Sequence, residues 1–394
     1  MKNEIKTALQ EREFQALKDK HRVILRWATG CGKSKMAIDL VNNVSHGRVL
    51  FLVAERAHIK NWQEEFQKWG LQDADVTIIC YNSLHKQKGE HYDVIVFDEA
   101  HHVFTEKRLE ILWSLKADYI YLLSATLSIG KIAEIEDIYG KFIVSTVSLK
   151  EAISKEILPD PNVYLLPMEL DNTKVNQEIK IGKGKNPIVA PYKDIKKYMY
   201  KNTPSIIQCT EKQKYEYLTQ RMEYYKGKYE MSGSQIYHTL WVNTGSQRKR
   251  FLGELKTDSV RKLIKSLSTR KRFICFCASV AQAETLSKTN TISSKRTSKF
   301  NQATIDAFNK KLINRLYAVG MANEGLNLND IEIGIIVQLD GKERLFIQKF
   351  GRSLRAEDPV AYIFYYKDTQ DEKYLNNALD KIDSKFIKVL NINQ

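Results

Sequence analysis

The sequence predicts an α/β protein: two parallel-sheet domains in tandem, with a basic, mainly helical insertion in the second. Three observations predict it. Short apolar runs (Val23 to Leu25, Val49 to Ala54 after Arg48, Val94 to Phe97) alternate with helical segments, as in a parallel sheet covered on both faces. The alternation returns from Arg272 to Tyr366, and between the two stretches Asn172 to Arg250 has a different texture. With 394 residues, 43% of them hydrophobic, the chain can fill two cores. The expected divisions are a first domain at 1–150, a joint and first strand of the second domain at 151–171, the insertion at 172–250, and the rest of the second domain at 251–394.

Thr7 to Leu17 reads as a short amphipathic helix with Leu9, Phe14 and Leu17 turned to the sheet. Within it, Gln10 lies 23 residues before Lys33, and its carboxamide can both donate to and accept from an adenine edge. After Val23 to Leu25 comes Arg26-Trp27-Ala28-Thr29-Gly30-Cys31-Gly32-Lys33-Ser34, and then a helical run from Lys35 to Val41. Strand, glycine-bearing turn and helix start aim several backbone N–H groups and the positive end of a helix at one point. Such a turn can cradle the phosphates of a nucleotide, with Lys33 as the charge and Ser34 as a Mg²⁺ ligand. The strict pattern has glycine where Trp27 stands, so a second element is needed.

That element follows a helix bearing Trp62, Phe66 and Trp69 and a strand from Val76 to Cys80. Val94-Ile95-Val96-Phe97 runs straight into Asp98-Glu99-Ala100-His101. Two ionised acids at the end of a buried strand are costly unless a cation or a water uses them. Asp98 is placed to hold Mg²⁺ alongside Ser34, and Glu99 to orient and deprotonate the water that attacks the γ-phosphate. Alone, the pair also fits an acidic helix start. Tyr119 to Leu123 is a further strand, ending in Ser124-Ala125-Thr126.

Lys150 to Pro161 reads as a helix stopped by two prolines, followed by the extended run Val163 to Met168. The second domain then offers strands at Arg272 to Ser279, Leu316 to Met321, Ile331 to Leu339 and Ala361 to Tyr366. Helices fall at Val280 to Ser287, Asn301 to Asn309, Glu343 to Leu354 and the C-terminus. Cys275 and Cys277 share a core face. Arg352 and Arg355, at i and i+3, share a helix face and can both point across a cleft between the domains. A guanidinium reaching the γ-phosphate there stabilises transition-state charge, an effect on the order of 10³–10⁵ in rate.

The insertion carries 16 Lys and Arg against 6 Asp and Glu, a net +10 of the chain's +15, and nine of the 20 tyrosines. Cations interleaved with aromatics suit a single-stranded nucleic acid, whose phosphates need charge and whose bases stack. Lys196, Lys197, Tyr198, Tyr200, Arg248, Lys249 and Arg250 are the candidate contacts. The same composition fits a small helical bundle with tyrosines inside and lysines outside.

In order, ATGCGKS at 28–34, DEAH at 98–101, SAT at 124–126 and QKFGRSLR at 348–355 resemble superfamily 2 helicases of the DEAH-box and related kinds. The resemblance implies two RecA-like domains binding Mg-ATP between them, with hydrolysis coupled to movement along or unwinding of nucleic acid, DNA ahead of RNA. It further implies that Ser124 and Thr126 link ATP state to grip, that His101 bridges towards them, and that Gln10 is a family glutamine. Val319 to Asn327 is similar to the fifth family motif, which sets Glu324 and Gly325 at the nucleotide, as the sixth sets Gln348. Val319 and Asn327 stand where threonine and aspartate are usual.

A charge of +15 favours a polyanionic partner, nucleic acid or an acidic surface, although lysines also serve solubility. No segment approaches the roughly 18 uninterrupted apolar residues of a membrane helix, and Met1-Lys2-Asn3-Glu4 lacks a signal-peptide core. The expectation is a cytoplasmic protein, monomeric in the simplest case, with five reduced cysteines (Cys31, Cys80, Cys209, Cys275, Cys277) and no structural zinc. Other readings are a duplex translocase or annealing motor without strand separation, a binding module with a weakened ATPase, and a phosphate-loop enzyme acting on small molecules. Lys33, the acidic pair and the two arginines argue against the second, and the paired domains and basic insertion against the third.

Overall fold

The computed structural model describes residues 2–44, 47–71, 75–320, 328, 330–339, 356–380 and 382–390. The first domain runs α1 (Lys2–Leu17), β1 (Arg22–Trp27), α2 (Lys33–Asn43), β2 (Arg48–Val53), α3 (Arg56–Trp69), β3 (Asp75–Cys80), β4 (His91–Phe97), α4 (Glu106–Leu112), β5 (Lys116–Leu123), α5 (Ile129–Tyr139) and β6 (Ile143–Val147). Its six strands are parallel, in the order β3-β2-β4-β5-β1-β6. Alternate side chains along each strand feed two different cores. Val23, Leu25, Phe51, Val96 and Leu123 pack with residues of α1, α2 and α3, while Ile24, Leu50, Ile95, Phe97 and Leu122 pack with residues of α4 and α5. Continuous apolar runs in the sequence are the direct consequence, since a strand buried on both faces has no polar side.

This strand order positions the site. β1 opens into the glycine-bearing turn, β4 ends at Asp98, and β5 alone separates them, so the two chemical elements sit at neighbouring carboxyl ends of one sheet. β6 is an edge strand that the sequence reading does not include. It pairs with β1 through Val23 to Trp27, and its Ile143 and Val144 are exposed, so its burial leaves no apolar signature.

Next come α6 (Leu149–Ser154), capped by the Ser148 hydroxyl, and β7 (Asn162–Met168). The chain then forms β8 (Gln177–Ile181), β9 (Ile188–Pro191), α7 (Ile195–Lys201), β10 (Ser205–Cys209), α8 (Glu211–Ser232) and α9 (Gln235–Leu255). β8, β10 and β9 make a three-stranded mixed sheet, absent from the expectation of a mainly helical segment. Its small core joins Ile179, Ile207 and Cys209 to Tyr217 and Leu218 of α8 and Phe251 of α9. From 219 to 243 no residue of the two helices is buried, so beyond that core they continue as an arm, turned at Gly233 in the left-handed region.

The second domain is completed by α10 (Thr257–Ser266), β11 (Phe273–Phe276), α11 (Val280–Leu286), β12 (Thr291–Ser293), α12 (Ser298–Asn309), β13 (Arg315–Val319), β14 (Ile333–Ile336), β15 (Val360–Tyr366), a helix at Gln370–Leu379 and β16 (Ile387–Val389). Its seven parallel strands lie in the order β12-β13-β11-β14-β15-β7-β16. β7 therefore belongs to this sheet although it precedes the inserted segment. Cys275 and Cys277 lie in its core, as their spacing predicts. No helix among the described residues is long and apolar enough to cross a membrane.

Candidate nucleotide site

Gly32 sits at φ 93°, ψ 33° and caps α2, while Gly30 also has φ 93°. Both lie in the left-handed region, where a side chain is strained, and a Cβ on Gly32 would fall 1.9 Å from Gln10 Nε2. These two positions are where glycine is required. Trp27 is not such a position: it is the last residue of β1, its indole is fully buried, and Nε1 donates to Ser145 Oγ at 2.8 Å. Ser145 Oγ donates on to Glu13 Oε2 at 2.7 Å. The departure from the usual pattern therefore falls on a strand residue whose side chain enters the core shared with α1 and α2, and it leaves the turn intact.

The first-turn N–H groups of α2 open on a cavity of about 840 Å³. Thr29, Gly30, Gly32, Lys33 and Ser34 line one side, Asp98 and Glu99 another, and Lys6 and Gln10 of α1 a third. Lys33 Nζ donates to Trp27 O at 2.9 Å, and Lys6 Nζ donates to Gly30 O at 2.8 Å. Cys31 is fully buried, and burial pushes its thiol up to about 11, so this residue contributes backbone rather than a thiolate. The amide nitrogen of Gln10 donates to Cys31 O at 3.1 Å. Gln10 thus braces the turn, and the donor expected to meet an adenine edge is engaged with the turn's own carbonyl.

The acidic pair is held from behind. Asp98 Oδ2 accepts from Trp62 Nε1 at 2.9 Å, and His58 Nδ1 lies 3.9 Å from the same oxygen. His58 and Trp62 are one turn apart on α3 and both are buried. Tyr81 donates its hydroxyl to the Asp98 carbonyl at 2.8 Å. Glu99 adopts φ 48°, ψ 54°, a left-handed conformation uncommon for a non-glycine residue, and His101 Nδ1 faces Glu99 Oε2 at 3.4 Å. The sequence reading missed His58 and Trp62. The available signal was a pair of N–H-bearing rings on the apolar stripe of one helix, which need polar partners when buried.

Ser124 is fully buried and its hydroxyl accepts from the Thr126 N–H at 3.3 Å. Thr126 lines a separate cavity of about 550 Å³ with Arg26, Ser148 and Lys150, and with Asp380 of the second domain. Glu324, Gly325, Gln348, Arg352 and Arg355 lie outside the described residues. In the insertion, Lys196, Lys197, Tyr200 and Arg250 are exposed, Tyr198 packs on the small core, and Lys249 is partly buried. Arg248 is a correction: it is buried, donates to Thr219 Oγ1 at 3.0 Å and stands over the Tyr215 ring, so it ties α9 to α8 and does not face a polymer.

The donor set fits Mg²⁺ with a nucleotide. Hard oxygens from Ser34 and Asp98 line one cavity with the backbone cradle, and Mg²⁺ ordinarily takes one or two carboxylates and leaves its other positions to phosphates and water. Among the described residues no cluster of three or more His, Cys, Asp or Glu could hold a metal by itself.

The chain is similar to known proteins in both of its domains. Residues 2–129 match the family described as type III restriction enzyme, res subunit, and residues 255–357 match the helicase conserved C-terminal domain. The chain is 23% identical over 399 aligned positions to the DNA 3'-5' translocase XPB2 of Sulfurisphaera tokodaii, covering 91% of this chain and 82% of that protein. Among solved structures, S. cerevisiae Dbp5 bound to RNA and ADP BeF3 covers 98% of this chain and 89% of its own, with TM-score 0.61 and 13% identity. The Pyrococcus furiosus Hef helicase domain covers 94% of this chain and 97% of its own, with TM-score 0.50 and 14% identity. At such identities the structural likeness speaks for the two RecA-like folds.

Proposed function

We propose that this chain, an ATP-hydrolysing enzyme of the superfamily 2 helicase kind, is a DNA motor that moves along its track in the 3'-5' direction and separates strands where the track is double. The observation that carries the reading is the shared cavity: the phosphate turn with Lys33 and Ser34, and the acidic pair Asp98–Glu99, open on one volume at adjacent strand ends. The translocase named among its relatives supports DNA and the direction of travel.

In the proposed cycle ATP binds with its phosphates against the N–H groups of α2 and with Lys33 swinging from the Trp27 carbonyl to the phosphate oxygens. Ser34 and Asp98 would hold Mg²⁺, which would supply neutralisation of the charge that develops on the phosphates. Glu99 accepts a proton from the attacking water, and His101 fixes the carboxylate's orientation. Arg352 and Arg355 are proposed to approach the γ-phosphate from the second domain. Thr126, on the cavity that also contains Asp380, is proposed to report the nucleotide state to the DNA surface. Alternation between closed and open forms moves the two domains along a strand, since a ligand shifts such an equilibrium only by its differential affinity for the two forms.

The test is steady-state ATP turnover with no polymer, single-stranded DNA, duplex DNA, single-stranded RNA and duplex RNA, with Lys33→Ala as the blank. Strong stimulation by DNA is expected. Equal turnover with every polymer would overturn the motor reading. A second reading, a duplex translocase that does not separate strands, is favoured by the match to a restriction subunit, and stimulation by duplex without strand displacement would select it.

A further inference from the structure

A second built cavity lies in the inserted segment, well away in the chain from the phosphate turn. Its volume is about 830 Å³, within the range of sites that take small organic groups, and it occupies the angle between α8 on one side and β8 with α7 on the other. Its lining is aromatic and cationic together. Tyr192, Tyr217, Tyr224 and Tyr225 contribute phenol rings, and Lys180, Lys193, Lys196 and Arg221 contribute four positive charges against the single carboxylate of Glu216.

The arrangement inside is specific. Arg221 Nη1 donates to Tyr217 Oη at 2.8 Å, and Arg221 Nε donates to Tyr225 Oη at 3.0 Å. A phenol oxygen that accepts from a guanidinium must send its own proton elsewhere, so both hydroxyls are polarised donors available to a further acceptor. Tyr224, on the same face of α8, keeps 57% of its surface exposed. Gln220 and Asn202 offer amides, and Glu216 an acceptor, at the same walls. The cavity therefore combines an anion site, an exposed ring and groups that can read a heteroaromatic edge.

We propose that this cavity binds one unstacked nucleotide of a single strand, with its base against Tyr224 and its phosphate among Arg221, Lys193 and Lys196. The proposal rests on the nucleic-acid reading above and names where that polymer is gripped outside the two RecA-like domains. A duplex keeps its base faces covered by stacking, so it offers no ring to Tyr224, whereas every unpaired base has a π-face. A merely acidic peptide would use the cations and leave the tyrosines idle. Attachment of this segment to the second domain means that a nucleotide held here moves with that domain: Gln282 Nε2 donates to Gly253 O at 2.6 Å and Ser279 Oγ to Glu254 Oε1 at 2.8 Å, at the foot of α9.

The experiment uses the full chain and short oligonucleotides carrying 2-aminopurine, whose fluorescence falls on stacking, in DNA and RNA versions, with an abasic strand of equal length and charge. Tyr224→Ala and the pair Lys193→Glu with Lys196→Glu change exposed positions; Tyr224→Trp is the conservative replacement and Lys183→Glu the control outside the cavity. Single-strand affinity should fall about tenfold in Tyr224→Ala and recover in Tyr224→Trp, with the quench lost and regained in step. The abasic strand should bind unaltered protein as weakly as the normal strand binds Tyr224→Ala, and the DNA and RNA arms tell which sugar is preferred. ATP turnover without polymer should be the same in all variants. Wild-type binding with Tyr224→Ala unchanged and the quench intact would overturn the cavity alone, as would equal competition by polyglutamate. No binding of any oligonucleotide by the unaltered chain would overturn both the cavity and the motor reading.

Discussion

The Trp62 indole donates to Asp98 Oδ2 at 2.9 Å, a helix side chain holding the acid at the end of β4. The bond fixes one carboxylate oxygen of Asp98, a residue that shares a cavity with Ser34. A hydrogen bond to a charged group contributes about 1.5–3 kcal/mol. In Trp62→Phe, which keeps the apolar packing against Phe51 and Phe66, the Mg²⁺ concentration for half-maximal turnover should rise about tenfold. Fluorescent-nucleotide binding titrated with Mg²⁺ should show the same displacement without reference to turnover. An unchanged Mg²⁺ dependence would reduce Trp62 to packing.

Lys33 and Glu99 should separate binding from chemistry. Lys33→Ala removes the main cation facing the phosphates, and ATP turnover should drop at least about a hundredfold. Glu99→Gln keeps the shape and the Mg²⁺ ligand but loses the base, so nucleotide should still bind while turnover falls by about 10²–10⁴. Normal steady-state turnover in either variant would remove that residue from the mechanism.

Cys31 lies in the phosphate turn yet should be inert. Its thiol, raised by burial to about 11, stays protonated until the pH nears that value, leaving about one thiolate in a thousand at pH 8. Cys80, partly exposed at the end of β3, is also shifted upward by burial but is accessible. After brief iodoacetamide treatment at pH 8, peptide mass mapping should find Cys80 modified and Cys31 unmodified, with reactivity at Cys31 growing as the pH is raised. Early labelling of Cys31 would mean that the turn opens in solution.

How much of this was legible in the sequence depends on whether a residue signals by pattern or by partner. Val94 to Phe97 announces a doubly buried strand, and Gly30 and Gly32 announce a turn, because burial on two faces and left-handed backbone each restrict residue type directly. β6, with Ile143 and Val144 outward at a sheet edge, carries no such pattern. β8, β9 and β10 are short, one is antiparallel and two parallel to each other, and the lysines that dominate their neighbourhood mask the alternation. Arg248 was misread for the complementary reason: a cation in a basic run looks solvated, and only the fold shows it turned inward onto Tyr215 and Thr219. Trp62 and His58 needed the third dimension, since nothing in a helix stripe says which strand end it will face.

The last prediction concerns the foot of the arm. Lys256 follows α9 and is fully buried, and its ammonium, with three N–H donors, is shared among four acceptors: Asp371 Oδ2 at 2.6 Å, Val337 O at 2.8 Å, Gln338 Oε1 at 3.1 Å and Phe364 O at 3.2 Å. Val337 and Phe364 belong to the carboxyl-end region of β14 and β15, so one ammonium ties the inserted segment to two strands and, through Asp371, to the helix Gln370–Leu379. Burial draws the Lys256 pKa down, and contact with Asp371 opposes that. Lys256→Ala leaves the fully buried Asp371 without its counter-ion, for which the cost is about 3–5 kcal/mol, whereas removing both charges avoids the isolated acid. Thermal unfolding of the second domain in Lys256→Ala should therefore shift down by about 6–20 °C, at roughly 2–4 °C per kcal/mol for a domain of about 150–250 residues. Lys256→Met combined with Asp371→Leu should lie between that variant and the unaltered chain. If the double variant were no more stable than Lys256→Ala, the penalty would come from the lost carbonyl contacts at Val337 and Phe364 instead of the unpaired acid.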